Sequence, residues 1–165
     1  MAKQQGAANG KVQVGDQAPD FTLFTQSGTQ VSLKDFLEKK NVVLYFYPAD
    51  NTPGCTAEAC SFRDSYEVFK EAGAEVIGIS SNSTESHEQF AAKYRLPFIL
   101  LSDPKGVVRK RYGVPNTFGF MPGRVTYIID KQGIVRRFFK DQIHATKHVE
   151  EALKTLEALR SEQQE

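Results

Sequence analysis

Cysteine is scarce in this chain, with two among 165 residues. A chain of this length buries a sizeable core without covalent staples, so the pair is not needed to hold a small scaffold together and is free for chemistry. No charge of one sign dominates: 21 Lys and Arg oppose 20 Asp and Glu, leaving a formal net charge of +1. That balance supplies no field to steer nucleic acid or an anionic bilayer, and small neutral substrates or protein partners are expected instead. Long apolar runs are missing too. The longest, Val42 to Tyr47, falls far short of the roughly 18–20 residues needed to span hydrocarbon, so no membrane span is expected.

Residues 1–14 have no apolar core of a secretory signal and too little Arg and Ser for a convincing transit peptide. The expected compartment is therefore a reducing one, the cytoplasm. There, two cysteines close in sequence are more often catalytic, redox-sensing or metal-binding than a structural bridge. Residues 1–14 and 161–165 are polar and poor in large side chains, and read as loosely held ends. No repeat, low-complexity block or Pro/Ser/Gly linker divides the rest, so one domain is expected over residues 15–160.

Phe21 to Thr25 and Gln30 to Leu33 bracket Gln26-Ser27-Gly28-Thr29 and predict a small N-terminal hairpin. Val42 to Tyr47 is β-branched and aromatic on both faces, as in a strand covered on both sides, and Glu75 to Ile79 resembles it. Between them Ala59, Phe62, Tyr66 and Phe69 recur at helical spacing, with Glu58, Arg63, Asp64, Glu67 and Lys70 assigned to the opposite, charged side. A second helix is predicted from about Thr84 to Tyr94, a strand at Phe98 to Leu101, and a hairpin pairing Val125–Ile129 with Ile134–Phe139. A last helix carries Val149, Ala152, Leu153, Leu156 and Leu159 on one face, with Thr146 as its N-cap. The sum is an α/β fold with a central mixed β-sheet flanked by helices.

Cys55 falls in the first turn of the crossover helix, where unpaired N–H groups and the positive end of the helix dipole favour a thiolate. Pro53-Gly54 lets the backbone turn sharply and approach whatever binds the sulfur. At about 100° per residue, Cys55 lies within the apolar stripe while Cys60 is rotated by about 140° toward the charged side. An ideal helix separates residues five apart by roughly 8.6 Å between Cα atoms, beyond the ~7 Å a disulfide tolerates. A bond between the two sulfurs therefore requires the first turn to unwind.

Pro48, Thr52 and Cys55 fit the P-x-x-x-T-x-x-C pattern of the peroxiredoxins, and Cys60 resembles the resolving cysteine of the bacterioferritin comigratory protein and peroxiredoxin Q subfamily. Gly15 to Phe21, Tyr45 to Pro48 and Phe118 to Asp130 also resemble that family, so the likeness runs over nearly the whole domain. The resemblance implies a thioredoxin-like fold and carries Arg124 over as the active-site arginine. It further implies a peroxidatic Cys55, a resolving Cys60, a Pro48 that limits solvent access, and recycling by thioredoxin or a similar dithiol. The substrates implied are hydrogen peroxide and organic hydroperoxides. A monomer is expected, as are no metal, flavin or haem and no nucleic-acid partner. A chloroplast enzyme freed of its transit peptide would look much the same, which makes the chloroplast the alternative compartment.

Thiolate formation alone cannot explain such catalysis. Lowering a thiol's pKa from about 8.5 to about 6 raises its thiolate fraction at pH 7 roughly 30-fold, but a Brønsted slope near 0.45 takes back roughly 13-fold. The remaining factor of about two is small against the roughly 10⁶ typical of enzymes. Orientation of the peroxide and stabilisation of its departing oxygen must supply the rest, with Arg124, the Thr52 hydroxyl and the Cys55 N–H as expected donors.

Blander readings compete. A bare C-x₄-C is as often two unrelated thiols as a redox pair, and an arginine such as Arg124 is more often a surface ion-pair residue; the motif as a whole weighs against both. His144 and His148 are four apart but lack the glutamate of H-E-x-x-H, and are expected to be solvated at a helix start. His87 is expected on an exposed helix face with no role as a base. Phe118, Phe120 and Met121 are candidates to line the peroxide's approach, although apolar residues beside a strand are more often core. Two rival functions stay open, a disulfide oxidoreductase without peroxidase activity, whose usual C-x-x-C is absent, and a redox-switched binding or chaperone module.

Overall fold

The apolar run that begins at Val42 forms the centre of a seven-stranded mixed sheet, in a computed structural model that describes residues 11–117 and 121–163. Its strands are β1 (Thr22–Thr25), β2 (Gln30–Ser32), β3 (Asn41–Phe46), β4 (Ala74–Ser80), β5 (Ile99–Ser102), β8 (Val125–Ile129) and β9 (Val135–Lys140). Two short strands, β6 (Asn116–Thr117) and β7 (Met121–Pro122), pair with each other outside it. The sheet order is β2-β1-β5-β4-β3-β8-β9, with β3, β4 and β5 parallel and the other pairings antiparallel. Every residue of β3 is buried, as a strand covered on both faces must be.

Alternation along β3 sorts the core into two layers. Val43, Tyr45 and Tyr47 face the helices α1 (Pro53–Asp64), α2 (Tyr66–Glu71), α3 (Thr84–Tyr94) and α5 (Lys147–Gln163). Val42, Leu44 and Phe46 face the other way, onto Phe21, Leu33 and the short helix α4 (Val107–Tyr112). Gly78 on β4 makes room for one of these side chains, because a Cβ there would lie 2.9 Å from the Tyr45 ring.

The predicted hairpin is present, and it extends the main sheet: β1 pairs with β5, and the Gln26 side chain bonds Phe98 O and Leu100 N. The crossover helix is interrupted at Ser65, which separates α1 from α2. Phe62 and Phe69, one on each side of that break, are fully buried. Each such side chain contributes about 1.5–3 kcal/mol, which is ample to hold two short helices against the sheet. Helix α4 was not anticipated. Val12, within the segment expected to be loose, is buried and donates its N–H to the Tyr112 carbonyl, and α5 continues to Gln163.

Candidate active site

Pro48 ends β3 because it has no N–H to offer the sheet, and the chain turns through residues 48–52 into α1. Thr52 is the N-cap and Pro53 opens the helix, where its missing N–H costs nothing. The first helical bond runs from Thr56 N to Thr52 O at 2.8 Å, so the N–H groups of Gly54 and Cys55 have no helical acceptor. Cys55 is 1% exposed, and both cysteines are free thiols.

Arg124, 5% exposed, sits just before β8 and reaches across to this helix mouth. Its Nη2 lies 3.5 Å from the Cys55 sulfur, its Nη1 donates to Glu58 Oε1 at 2.6 Å, and its Nε donates to the Gln142 carbonyl at 3.4 Å. Each edge of the guanidinium plane thus has an assigned direction. Gly54 is what lets it lie so close, since a Cβ there would stand 3.0 Å from Nη2. Burial works against the Arg124 cation, but Glu58 and Cys55 beside it more than offset this and hold its pKa above the ordinary value.

Thr52 and Cys60 differ in how they meet this centre. The Thr52 hydroxyl donates to the Ala49 carbonyl at 2.9 Å, so its proton is committed and its oxygen is left as an acceptor. Cys60 is partly buried and not on the sealed face with Cys55, as the helical wheel predicts. Pro48 is half-buried at the exit of β3. Phe118 and Phe120 lie outside the described residues, and Met121 opens β7.

Three side chains are not where the sequence placed them. Glu58, assigned to the charged face, is fully buried, its carboxyl group accepting from Arg124. Its three-residue spacing from Cys55 puts the two on one helix face, a signal available in the sequence. Burial pushes its carboxyl up to about 8, against the pull of Arg124, and its Oε2 has no hydrogen-bond partner among the described residues. His148, expected in solvent, is fully buried 3.7 Å from that oxygen. Its Nε2 donates to the Asp141 carbonyl at 2.9 Å, which leaves Nδ1 to accept from the Thr126 hydroxyl at 2.7 Å. His87 is also fully buried, bonded to Asp50. His144 alone is exposed, beside Asp141.

Burial pushes His148 down to about 4, so its neutral form is the one the fold accommodates. A lowered folded-state pKa makes its contribution full above about 6.5 and lost as pH falls toward 4. Glu58 has the opposite sign, since its raised value makes stability decline as pH rises from 4.5 through about 8. Comparing wild type with His148→Gln, with the same pair repeated in a Glu58→Gln background so that the neighbouring carboxyl does not titrate, isolates the histidine. Between pH 7 and pH 4.5 in urea titrations, the wild type is expected to lose about 1–3 kcal/mol relative to the variant; equal pH dependence would contradict the assignment.

A model of the AhpC/TSA family matches residues 14–138. The chain belongs to the AhpC/TSA family of peroxiredoxins. It is 56% identical to the peroxiredoxin Q of Sedum lineare, described as chloroplastic, over 91% of this chain and 81% of that relative. Among solved structures, peroxidoxin BcpB of Mycobacterium tuberculosis superimposes with a TM-score of 0.82 at 38% identity, over 88% of this chain and 96% of that one. A Xanthomonas campestris bacterioferritin comigratory protein, whose structure is described in terms of alkyl peroxide reduction activity, gives 0.76 at 30% identity, over 84% and 90%. The thioredoxin-like peroxiredoxin fold is therefore that of this chain as well. No group of three His, Cys, Asp or Glu side chains among the described residues is placed to hold a metal, and no described helix is long and apolar enough to cross a membrane.

Proposed function

We propose that this peroxiredoxin reduces hydrogen peroxide and organic hydroperoxides through Cys55, resolves the product with Cys60, and is recycled by thioredoxin or a similar dithiol. The observation that carries the proposal is the Arg124 guanidinium 3.5 Å from a sealed sulfur at the mouth of α1. The Cys55 thiolate attacks the distal oxygen of ROOH. An S–O bond forms, the O–O bond breaks, and the departing RO⁻ leaves as ROH after taking a proton, with Cys55 oxidised to the sulfenic acid. Arg124 and the free N–H of Cys55 steady the charge that moves onto oxygen, and the Thr52 oxygen accepts the peroxide's own O–H. Pro48 closes the site on the side of β3.

The Cys60 thiol then condenses with the sulfenic acid, forming the S–S bond and releasing water, and an external dithiol returns both sulfurs to thiols with two electrons. Both cysteines lie on one helix, so the cycle needs no second subunit and a monomer suffices. The activity named for the Xanthomonas relative supports organic hydroperoxides as substrates, and the name of the Sedum relative supports the chloroplast as compartment.

The test is stopped-flow oxidation followed by mass spectrometry after one equivalent of peroxide. Cys55 is expected to react many orders of magnitude faster than a free thiol and to end in a Cys55–Cys60 bridge, two hydrogens lighter. Oxidation at the rate of a free thiol would favour the switch or oxidoreductase readings. Because the bridge needs α1 to unwind, amide exchange across Thr52 to Arg63 is expected to quicken on oxidation; equal protection in both redox states would count against it.

A further inference from the structure

Asp50 closes a buried knot two residues before Thr52. Its Oδ1 accepts from the Tyr47 hydroxyl at 2.6 Å, and its Oδ2 accepts from the Ser86 hydroxyl and from His87 Nδ1, both at 2.7 Å. Its own N–H donates to Asn82 Oδ1 at 2.8 Å. The other nitrogen of His87, Nε2, lies 3.0 Å from the Leu101 carbonyl. Carboxylate and carbonyl oxygens only accept, so the ring donates at both ends and ties α3 to the loop on one side and to β5 on the other.

The next residue, Asn51, has a left-handed φ of 66°, uphill for any residue with a Cβ although less so for Asn. Such a conformation persists where the chain on both sides over-determines it. Upstream the knot fixes Asp50; downstream the Thr52 hydroxyl grips the Ala49 carbonyl. Beyond Thr52 comes the helix turn that presents Cys55 to Arg124.

We propose that His87 is a positioning residue of the peroxidase site: through Asp50 it anchors the loop leading into α1, so that Cys55 meets Arg124 in the intact helix and the unwinding that joins Cys55 to Cys60 stops at residue 51. This rests on the peroxidase reading above. The partners of Asp50 named here lie just after β3, on α3 and in the turn before α3, and none is on α1, so the anchor does not depend on the helix it orients. Its loss therefore disturbs the pose of Cys55 against Arg124 and leaves the opening of α1 unhindered. A displacement of about 1 Å at a reacting centre costs on the order of 10²-fold in rate.

Stopped-flow mixing of the full chain with hydrogen peroxide resolves Cys55 oxidation from disulfide formation and tests this. His87→Phe is expected to slow the first step by about 10- to 100-fold and to leave the second undiminished. His87→Gln, which keeps a donor for Asp50 but does not also reach Leu101, should fall between wild type and His87→Phe. Ser86→Ala, at a half-buried position, removes one donor from Asp50 and should slow the first step about threefold or more. A parallel decline of both steps would indicate general destabilisation and overturn the proposal, as would an unchanged first step. Should His87→Phe not fold, an unchanged first step in Ser86→Ala overturns it alone. A wild type whose Cys55 does not react fast with peroxide overturns the peroxidase reading instead.

Discussion

Arg124→Lys is expected to slow Cys55 oxidation by about 10²–10³-fold, the cost of removing one preorganised donor from an oxyanion site. The charge survives in that variant, but the plane does not. Arginine serves the Cys55 sulfur with Nη2, Glu58 with Nη1 and the Gln142 carbonyl with Nε, all at once and in directions fixed by one rigid fork. An ammonium is a point charge on a flexible stem and cannot hold these three directions together. Since the thiolate population accounts for only about a factor of two, the loss should appear as a slower reaction of thiolate already formed. Stopped-flow rates at a pH where Cys55 is fully ionised in both proteins separate the two effects. A loss that vanishes under those conditions would mean that Arg124 serves to ionise the sulfur and little else.

The second large effect is expected from Cys60→Ser, and it should be confined to one half of the cycle. Cys60 lies five residues along α1 from Cys55, on a partly exposed side, and none of the bonds to Arg124 or Glu58 involves it. The first oxidation should therefore proceed within about threefold of the wild-type rate, since a substitution away from such contacts shifts energies by roughly 0.5 kcal/mol. Turnover with thioredoxin should fall by about 100-fold or more, because the sulfenic acid has no neighbouring thiol to condense with. Excess peroxide should then drive Cys55 on to sulfinic acid, a gain of two oxygens readable by mass. Turnover at the wild-type rate would remove Cys60 from the cycle.

What could be read from the chain, and what could not, divides by the distance over which each signal acts. Helix α3 spans Thr84–Tyr94, the approximate bounds expected from the sequence, and what fixes its start is local, the Ser83 side chain accepting from Ser86 N. The centrality of β3 and β4 followed from continuous apolar runs for the same reason. The interruption at Ser65 did not, since the spacing of Phe62 and Phe69 suits one helix as well as two. The buried histidines escaped because their partners are remote: Asp50 is 37 residues from His87, and Thr126 is 22 from His148. No periodicity reports a tertiary hydrogen bond. Glu58 was different. It shares a helix face with Cys55, and only the habit of placing carboxylates in solvent hid it.

The interruption at Ser65 also sets how far redox damage can travel. Any reshaping of α1 meets a boundary there, beyond which α2 is moored by Phe69 in the core and by the Tyr66 hydroxyl on Glu75. In the proposed cycle the rebuilding is confined to the part of α1 ahead of Phe62, which is itself buried in the core, while the frame behind it keeps its shape. Wear from repeated cycling should accumulate as chemical lesions at one sulfur before it shows as loss of the fold.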